Sequence, residues 1–145
     1  MVPILIGRIQ TRLFLLALVG SLVTLVLIPL LPVPGSLSER YRVAFVVLAA
    51  VAVLGIAWEA LYHLLMQFRW EKDWPSLFGL LTGVPEGVLL WLLLRAGAVP
   101  LIDTVPPGWA FATHFAVVWV VVWLVANGPM RVPFLRWRFR GGRLV

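Results

Sequence analysis

The sequence predicts an all-α integral membrane protein, a four-transmembrane-helix bundle with both termini in the cytoplasm. Its composition is the first reason, because 62% of the 145 residues are apolar, against roughly 45–50% in an ordinary soluble domain. Only 12% are charged, where about 25% is usual. With a mean hydropathy of +1.01, these values exclude a soluble globular domain and a disordered chain.

Four apolar segments are the second reason. A bilayer core about 30 Å thick needs about 20 helical residues to cross it, and lipid offers no hydrogen-bond partners to the backbone, so each span should be a helix. Helix-ending residues bound the segments, as at Pro32 after the first and Gly128 after the last. The predicted spans are 13–31, 43–66, 76–94 and 109–126, in a single membrane domain with a basic cytoplasmic tail at 127–145.

The distribution of basic residues gives the orientation. Nine lie on the side of the termini and three on the other, and the positive-inside rule places the nine in the cytoplasm. We therefore expect a multi-pass protein of the cytoplasmic membrane, and the preference for Arg over Lys favours a bacterial source. The nine are Arg8, Arg12, Arg69, Lys72, Arg131, Arg136, Arg138, Arg140 and Arg143, and the three are Arg40, Arg42 and Arg95.

Four ionisable residues lie inside the predicted spans, where charged groups are expensive and are therefore functional candidates. They are Glu59, His63, Glu86 and His114. At about 1.5 Å per residue, their depths rise from about 13 Å on the cytoplasmic side of the midplane at His63 to about 5 Å beyond it at His114. The four predict a ladder of proton sites or polar contacts. Each also has a structural interpretation, such as an interfacial position for His63 or an interhelical bond for His114.

Small residues recur every four positions in the third span, at Gly79, Gly83 and Gly87. This spacing is typical of tight helix packing between membrane spans. Pro85 should free a backbone carbonyl one turn earlier and kink the helix. The short connection before this span makes the second and third spans neighbours, so their small faces are expected to bring Glu59 towards Glu86.

The basic tail predicts contact with anionic lipid headgroups, at about 1 kcal/mol per basic residue. Its arginines are Arg131, Arg136, Arg138, Arg140 and Arg143, and aromatic residues alternate with them. The alternative is a tail that only fixes the topology. Nucleic acid is not an expected partner, because the adjacent membrane competes for this short segment.

Catalytic, metal and cofactor sites find no support in the sequence. The chain has no Cys, which excludes thiolate ligands and cysteine nucleophiles. His63 and His114 differ by about 18 Å in predicted depth, too far for a shared haem. The spacing of Glu59 and His63 is not the Glu-x-x-His of di-iron bundles.

Two functions remain. The first is a non-enzymatic accessory, assembly or regulatory subunit of a larger membrane complex, whose partner is a second copy of the chain or another integral membrane protein. The alternative is a small proton-coupled transporter or proton-conducting subunit that uses Glu86 and Glu59. A transporter requires a water-accessible polar cavity between spans two, three and four. An accessory subunit requires a dry bundle with a small or polar face turned outward.

Overall fold

The computed structural model describes residues 4–70 and 75–145, and every regular element in these ranges is a helix. Four of the helices are long and apolar enough to cross a membrane: Leu5–Leu30, Leu37–Gln67, Ser76–Arg95 and Gly108–Arg131. The predicted class, an all-α chain with four candidate membrane spans, is therefore confirmed. The first helix begins at Leu5, where the apolar run alone predicted a start at Leu13.

Three of the four spans contain a change of helix type or a break, in the fourth span near its end, where a 3-10 turn follows Gly128. The first span has a π-helical turn in its middle, and the third is interrupted at Thr82. In chain order the elements are α1 (Leu5–Leu15), the π-helical turn (Leu16–Gly20), α2 (Ser21–Leu30), α3 (Leu37–Gln67), α4 (Ser76–Leu81), α5 (Gly83–Arg95), α6 (Gly108–Asn127), a 3-10 turn (Pro129–Arg131) and α7 (Leu135–Phe139).

The spans run alternately up and down, and each packs on its neighbours in sequence. The fourth span also packs on the first, which closes the four helices into a ring. We call the end that carries residues 4, 68–70 and the tail the termini end, and the end with connections 31–36 and 96–107 the opposite end. A capping box begins α3, in which the Ser36 N–H donates to Glu39 Oε2 and the Glu39 N–H to Ser36 Oγ, both at 3.2 Å.

The break at Thr82 lies one turn before Pro85, where proline is expected to interrupt the helix. Side chains donate hydrogen bonds to backbone carbonyls beside this break. Trp119 Nε1 donates to the Leu80 carbonyl at 3.1 Å, and Thr82 Oγ1 donates to the Gly79 carbonyl at 3.1 Å. The fourth span therefore supplies a hydrogen bond that makes a broken helix tolerable in lipid.

The glycine stripe of the third span faces the fourth span rather than the second. A Cβ atom at Gly83 would lie 2.5 Å from Trp119 Nε1, and one at Gly87 would lie 2.8 Å from Phe115, whereas Gly79 has more room. Glu86 precedes Gly87 directly, and consecutive helical residues point about 100° apart. The stripe and Glu86 therefore cannot face the same neighbour.

An aromatic row on α6 fills the space that these glycines leave. Trp91 of α5 stacks on Phe111, Phe111 on Phe115, and Phe115 on Trp119, with ring centroids 5.2, 5.8 and 5.6 Å apart. Stacked rings at such distances attract each other beyond the area that they bury. The row joins the third and fourth spans between Phe111 and Trp119.

The apolar core occupies the middle of the ring. Buried side chains from three of the spans and from the π-helical turn contribute to it, among them Leu16, Leu48, Val51, Leu90, Leu94 and Val118. This apolar core separates the polar groups of the termini end from those of the opposite end.

Candidate functional site

Charged side chains from three spans meet inside the bundle near the termini end. Arg8 Nε donates to Glu59 Oε2 at 2.7 Å, and Arg12 Nη1 donates to Glu59 Oε1 at 3.1 Å. The same Arg12 Nη1 lies 3.2 Å from Glu86 Oε1, while Arg12 Nη2 donates to Glu86 Oε2. Tyr62 Oη completes the group by donating to Glu86 Oε1 at 3.1 Å. We call these five residues the ionic cluster.

Local geometry explains how the cluster forms. Arg8 and Arg12 are four residues apart on α1 and therefore share a face. Gly55 lies on α3 one turn before Glu59, and any side chain there would overlap Arg12 Nε. The ring of Trp119 covers the guanidinium, with its centroid 5.2 Å from Arg12 Cζ. A glycine on one side and an aromatic ring on the other thus leave a slot of the right width for an arginine.

The charges of the ionic cluster are balanced and largely withdrawn from solvent. The side chains of Arg8 and Arg12 are each 9% exposed, Glu59 is 13% exposed and Glu86 is 4% exposed. Each of the four carboxylate oxygens accepts at least one hydrogen bond. Because an unpaired charge in such a place is far more costly than a paired one, this arrangement binds three spans to one another.

The sequence missed Arg8, Arg12 and Tyr62 as members of the site. The two arginines were expected in a cytoplasmic segment before the first span, but α1 extends past them and turns them inward. A signal was nevertheless present. Two glutamates within apolar spans require counter-charges, and the nearest cations spaced to share a helix face are Arg8 and Arg12.

The four intramembrane residues expected to form a ladder do not do so. The structure brings Glu59 and Glu86 together through Arg12. His63 is only partly buried, and its Nδ1 makes no hydrogen bond within the described ranges. His114 lies beyond the apolar core and bonds to the first span instead.

His114 forms a second, uncharged polar site with Thr24. His114 Nε2 and Thr24 Oγ1 are 2.9 Å apart, and Thr24 Oγ1 also lies 2.8 Å from the Gly20 carbonyl. The hydroxyl has a single proton, which it donates to that carbonyl because a carbonyl can only accept. His114 Nε2 is therefore the donor to Thr24. Both side chains are buried, with exposures of 5% and 0%.

A cleft of about 270 Å³ opens beside the ionic cluster at the termini end. Arg8, Arg12, Glu59 and Tyr62 form one wall, while the third and fourth spans and the tail form the others. The apolar core lies at the inner end of the cleft, where Leu16 belongs to both. Its wall does not include Glu86.

The tail folds back onto the first span. Trp137 is buried, and its Nε1 donates to Thr11 Oγ1 at 2.7 Å, while Thr11 Oγ1 donates to the Gly142 carbonyl at 2.9 Å. Gly7 lies directly against the backbone of Gly141 and Gly142, so no side chain would fit there. Trp137 is therefore a packing residue rather than an interfacial one.

The tail arginines that the structure describes in full are exposed: Arg131, Arg136, Arg140 and Arg143. Lys72 and the side chain of Arg138 lie outside the described part of the chain. Phe139, 83% exposed, lies among these arginines. An apolar ring beside exposed cations is the combination that was expected to meet lipid headgroups.

No group of three or more His, Asp or Glu side chains within residues 4–70 and 75–145 is arranged to hold a metal ion. Comparisons with protein-family models, with curated proteins and with solved structures find no match to this chain. The four apolar helices define the class, a multi-pass membrane protein.

Proposed function

We propose that this protein is a non-enzymatic membrane subunit, which acts as an accessory, assembly or regulatory partner in a larger membrane complex. The observation that carries the proposal is the engagement of both Glu59 and Glu86 by Arg12. Their carboxylates hold the bundle together, so the protein offers its partner a preassembled, rigid set of helices.

The apolar core supports the same proposal. Between the ionic cluster and the His114–Thr24 pair lie Leu16, Leu48 and Leu90, each almost completely buried. A proton needs a chain of water or titratable groups to cross such a region. A dry barrier is what an accessory subunit requires and what a proton pathway lacks.

The cleft favours the second candidate, a small proton-coupled transporter or proton-conducting subunit. It gives the aqueous phase at the termini end access to Arg8 and Glu59. In this alternative Glu86 receives its proton through Glu59, and the core opens during transport. The observation supports entry from one side only, which ranks this function second.

One paired experiment separates the two functions. The wild type, Glu86→Gln and Glu86→Leu are reconstituted in vesicles with a pH-sensitive dye, and each is also purified from membranes in mild detergent. We expect no proton flux from the wild type, and a stoichiometric protein partner that Glu86→Gln retains and Glu86→Leu loses. Gln keeps an oxygen for Arg12 and Tyr62, whereas Leu removes it.

Proton flux in the wild type that disappears in Glu86→Gln would instead establish the transporter. Absence of both flux and a partner, with the wild type a monomer in its native bilayer, would contradict both functions. Thermal unfolding of each variant provides the folding control.

We further propose that both termini lie in the cytoplasm, in the cytoplasmic membrane. Arg8 and Arg12 are ion-paired and no longer count as free cytoplasmic charges. Without them the basic residues still divide seven to three in favour of the termini end. Reporter fusions after Leu31 and Leu94 should lie outside, and fusions after Gln67 and Val145 inside. A Val145 fusion outside the cell would overturn this orientation.

The exposed tail residues support contact with anionic headgroups as part of the same proposal. Arg136, Arg140 and Phe139 lie on the surface of the termini end, beside the predicted cytoplasmic leaflet. Each basic residue near an anionic surface adds about 1 kcal/mol of attraction. This attraction orients the protein for its partner, which is a second copy or another integral membrane protein.

A further inference from the structure

The opposite end of the bundle encloses a chamber of about 460 Å³ between the first, second and fourth spans. Its walls consist of apolar side chains that are themselves buried: Ile28, Leu31, Ala44, Val47, Ala110 and Phe111. The mouth lies between the connection 31–36 and residues 104–107. The volume falls within the range of about 300–1,000 Å³ found for small-molecule sites.

A single uncharged polar side chain reaches the inner part of the chamber. His114 lies six residues into α6, which places it about 9 Å below the first residue of that helix. Its Nε2 already donates to Thr24, as the geometry of the Thr24 hydroxyl requires. No carboxylate bonds to the ring, so burial favours the neutral form.

In this tautomer Nδ1 of His114 can only accept a hydrogen bond. It makes none to any side chain or backbone group in the described ranges. Because the His114 side chain is only 5% exposed, this acceptor has little access to water, and a donor inside the chamber would satisfy it. The chamber therefore combines apolar walls with one unused acceptor.

We propose that this chamber binds a small, mainly apolar alcohol, whose hydroxyl donates to His114 Nδ1 and whose hydrocarbon part fills the apolar walls. Ethers, ketones and hydrocarbons lack the donor. A protonated amine has one, but its charge would be buried among apolar walls without a carboxylate partner, which is costly. A hydroxyl supplies the donor without bringing a charge into the apolar chamber.

Photolabelling tests the proposal on the complete chain in lipid nanodiscs. The probe is 3-azioctanol, and the labelled peptides are identified by mass spectrometry. We expect the label to concentrate on chamber residues of α3 and α6. Competing 1-octanol should protect these peptides about fivefold better than octyl methyl ether at equal concentration in the bilayer, the effect of one net hydrogen bond.

Two phenylalanine substitutions on α6 provide a matched pair. Ala110→Phe fills the chamber, whereas Ala112→Phe adds the same bulk on an exposed position two residues away. We expect labelling of the chamber peptides to be lost in Ala110→Phe and retained in Ala112→Phe. If Ala110→Phe does not fold, Ala44→Phe fills the same chamber from α3.

His114→Leu isolates the hydrogen bond. It should keep the labelling but abolish the difference between 1-octanol and its methyl ether. Equal protection by the two compounds in the wild type would overturn the proposal. So would labelling spread evenly over the lipid-facing helices in every variant, because the chamber would then hold only water or lipid chains.

Discussion

The two ends of this bundle use buried polar groups in opposite ways. At the termini end, Arg12 binds two carboxylates, and the charges of three helices cancel inside the cluster. At the opposite end, Thr24 and His114 join two helices through an uncharged contact, and the space beside them stays open. The comparison indicates that ion pairs hold three helices together at the termini end, while the neutral pair at the opposite end leaves a cavity beside it.

Arg12→Leu should have the largest effect, because it leaves Glu59 and Glu86 buried without their shared partner. Breaking a buried ion pair in this way lowers the free energy of unfolding by about 3–5 kcal/mol. Titration with sodium dodecyl sulfate in bicelles measures this free energy. Replacing Arg12 and Glu86 together with Leu should recover most of the loss, since Arg8 and Glu59 then remain as a balanced pair.

The exposed pair at the opposite end is the matched control. Arg42 Nη2 lies 3.3 Å from Asp103 Oδ2, with side-chain exposures of 49% and 83%. Arg42→Leu should therefore change the free energy of unfolding by no more than about 1 kcal/mol. Equal losses in the two arginine variants would show that the ionic cluster does not hold the termini end.

Gly83→Ala should be the next most severe change. Its Cβ would press on Trp119, the ring that also covers Arg12, so the strain reaches the ionic cluster. Overpacking of this kind costs about 1–3 kcal/mol. Gly79→Ala is the control, because its Cβ would lie 3.7 Å from Trp123, an ordinary contact distance. In the same detergent titration, Gly83→Ala should have a clearly lower free energy of unfolding than Gly79→Ala.

Thr24→Val tests the opposite end with a change of nearly equal shape. It leaves His114 Nε2 without its acceptor, which should lower the free energy of unfolding by about 1–2 kcal/mol. Thr113→Val, at an exposed position on α6, should be neutral. A Thr24→Val protein as stable as the wild type would mean that the neutral pair does not contribute to holding the two spans together.

Trp137→Phe should have the smallest effect. It removes the hydrogen bond to Thr11 but keeps an aromatic ring against the first span, for a loss of about 1 kcal/mol. Limited proteolysis should cut the tail faster in this variant, while the spans stay intact. Unchanged proteolysis would contradict the attachment of the tail to α1.

The four spans and the approach of Glu59 to Glu86 were predictable, because hydropathy and helix periodicity are local properties of the sequence. The cations that pair with these glutamates were not predictable, because hydropathy treats Arg8 and Arg12 as loop residues and so starts the first span too late. Only the packing of α1 against α3 turns them inward. The span that the glycine stripe faces was not predictable either. It depends on which neighbour Glu86 contacts, because Glu86 and Gly87 are consecutive and point in different directions.

The π-helical turn at Leu16–Gly20 changes which side chains share a face of the first span. Arg12 and Thr24 are separated by twelve positions, and in an uninterrupted α-helix their side chains would differ in direction by about 120°. A π turn absorbs about one extra residue, which reduces the difference to about 20°. The turn therefore places Arg12 and Thr24 on nearly the same face of the first span. One helix can then supply the cation of the ionic cluster and the hydroxyl that contacts His114. Loss of one residue between these two positions would let that turn become α-helical and keep both sites aligned, whereas gain of one would rotate them apart.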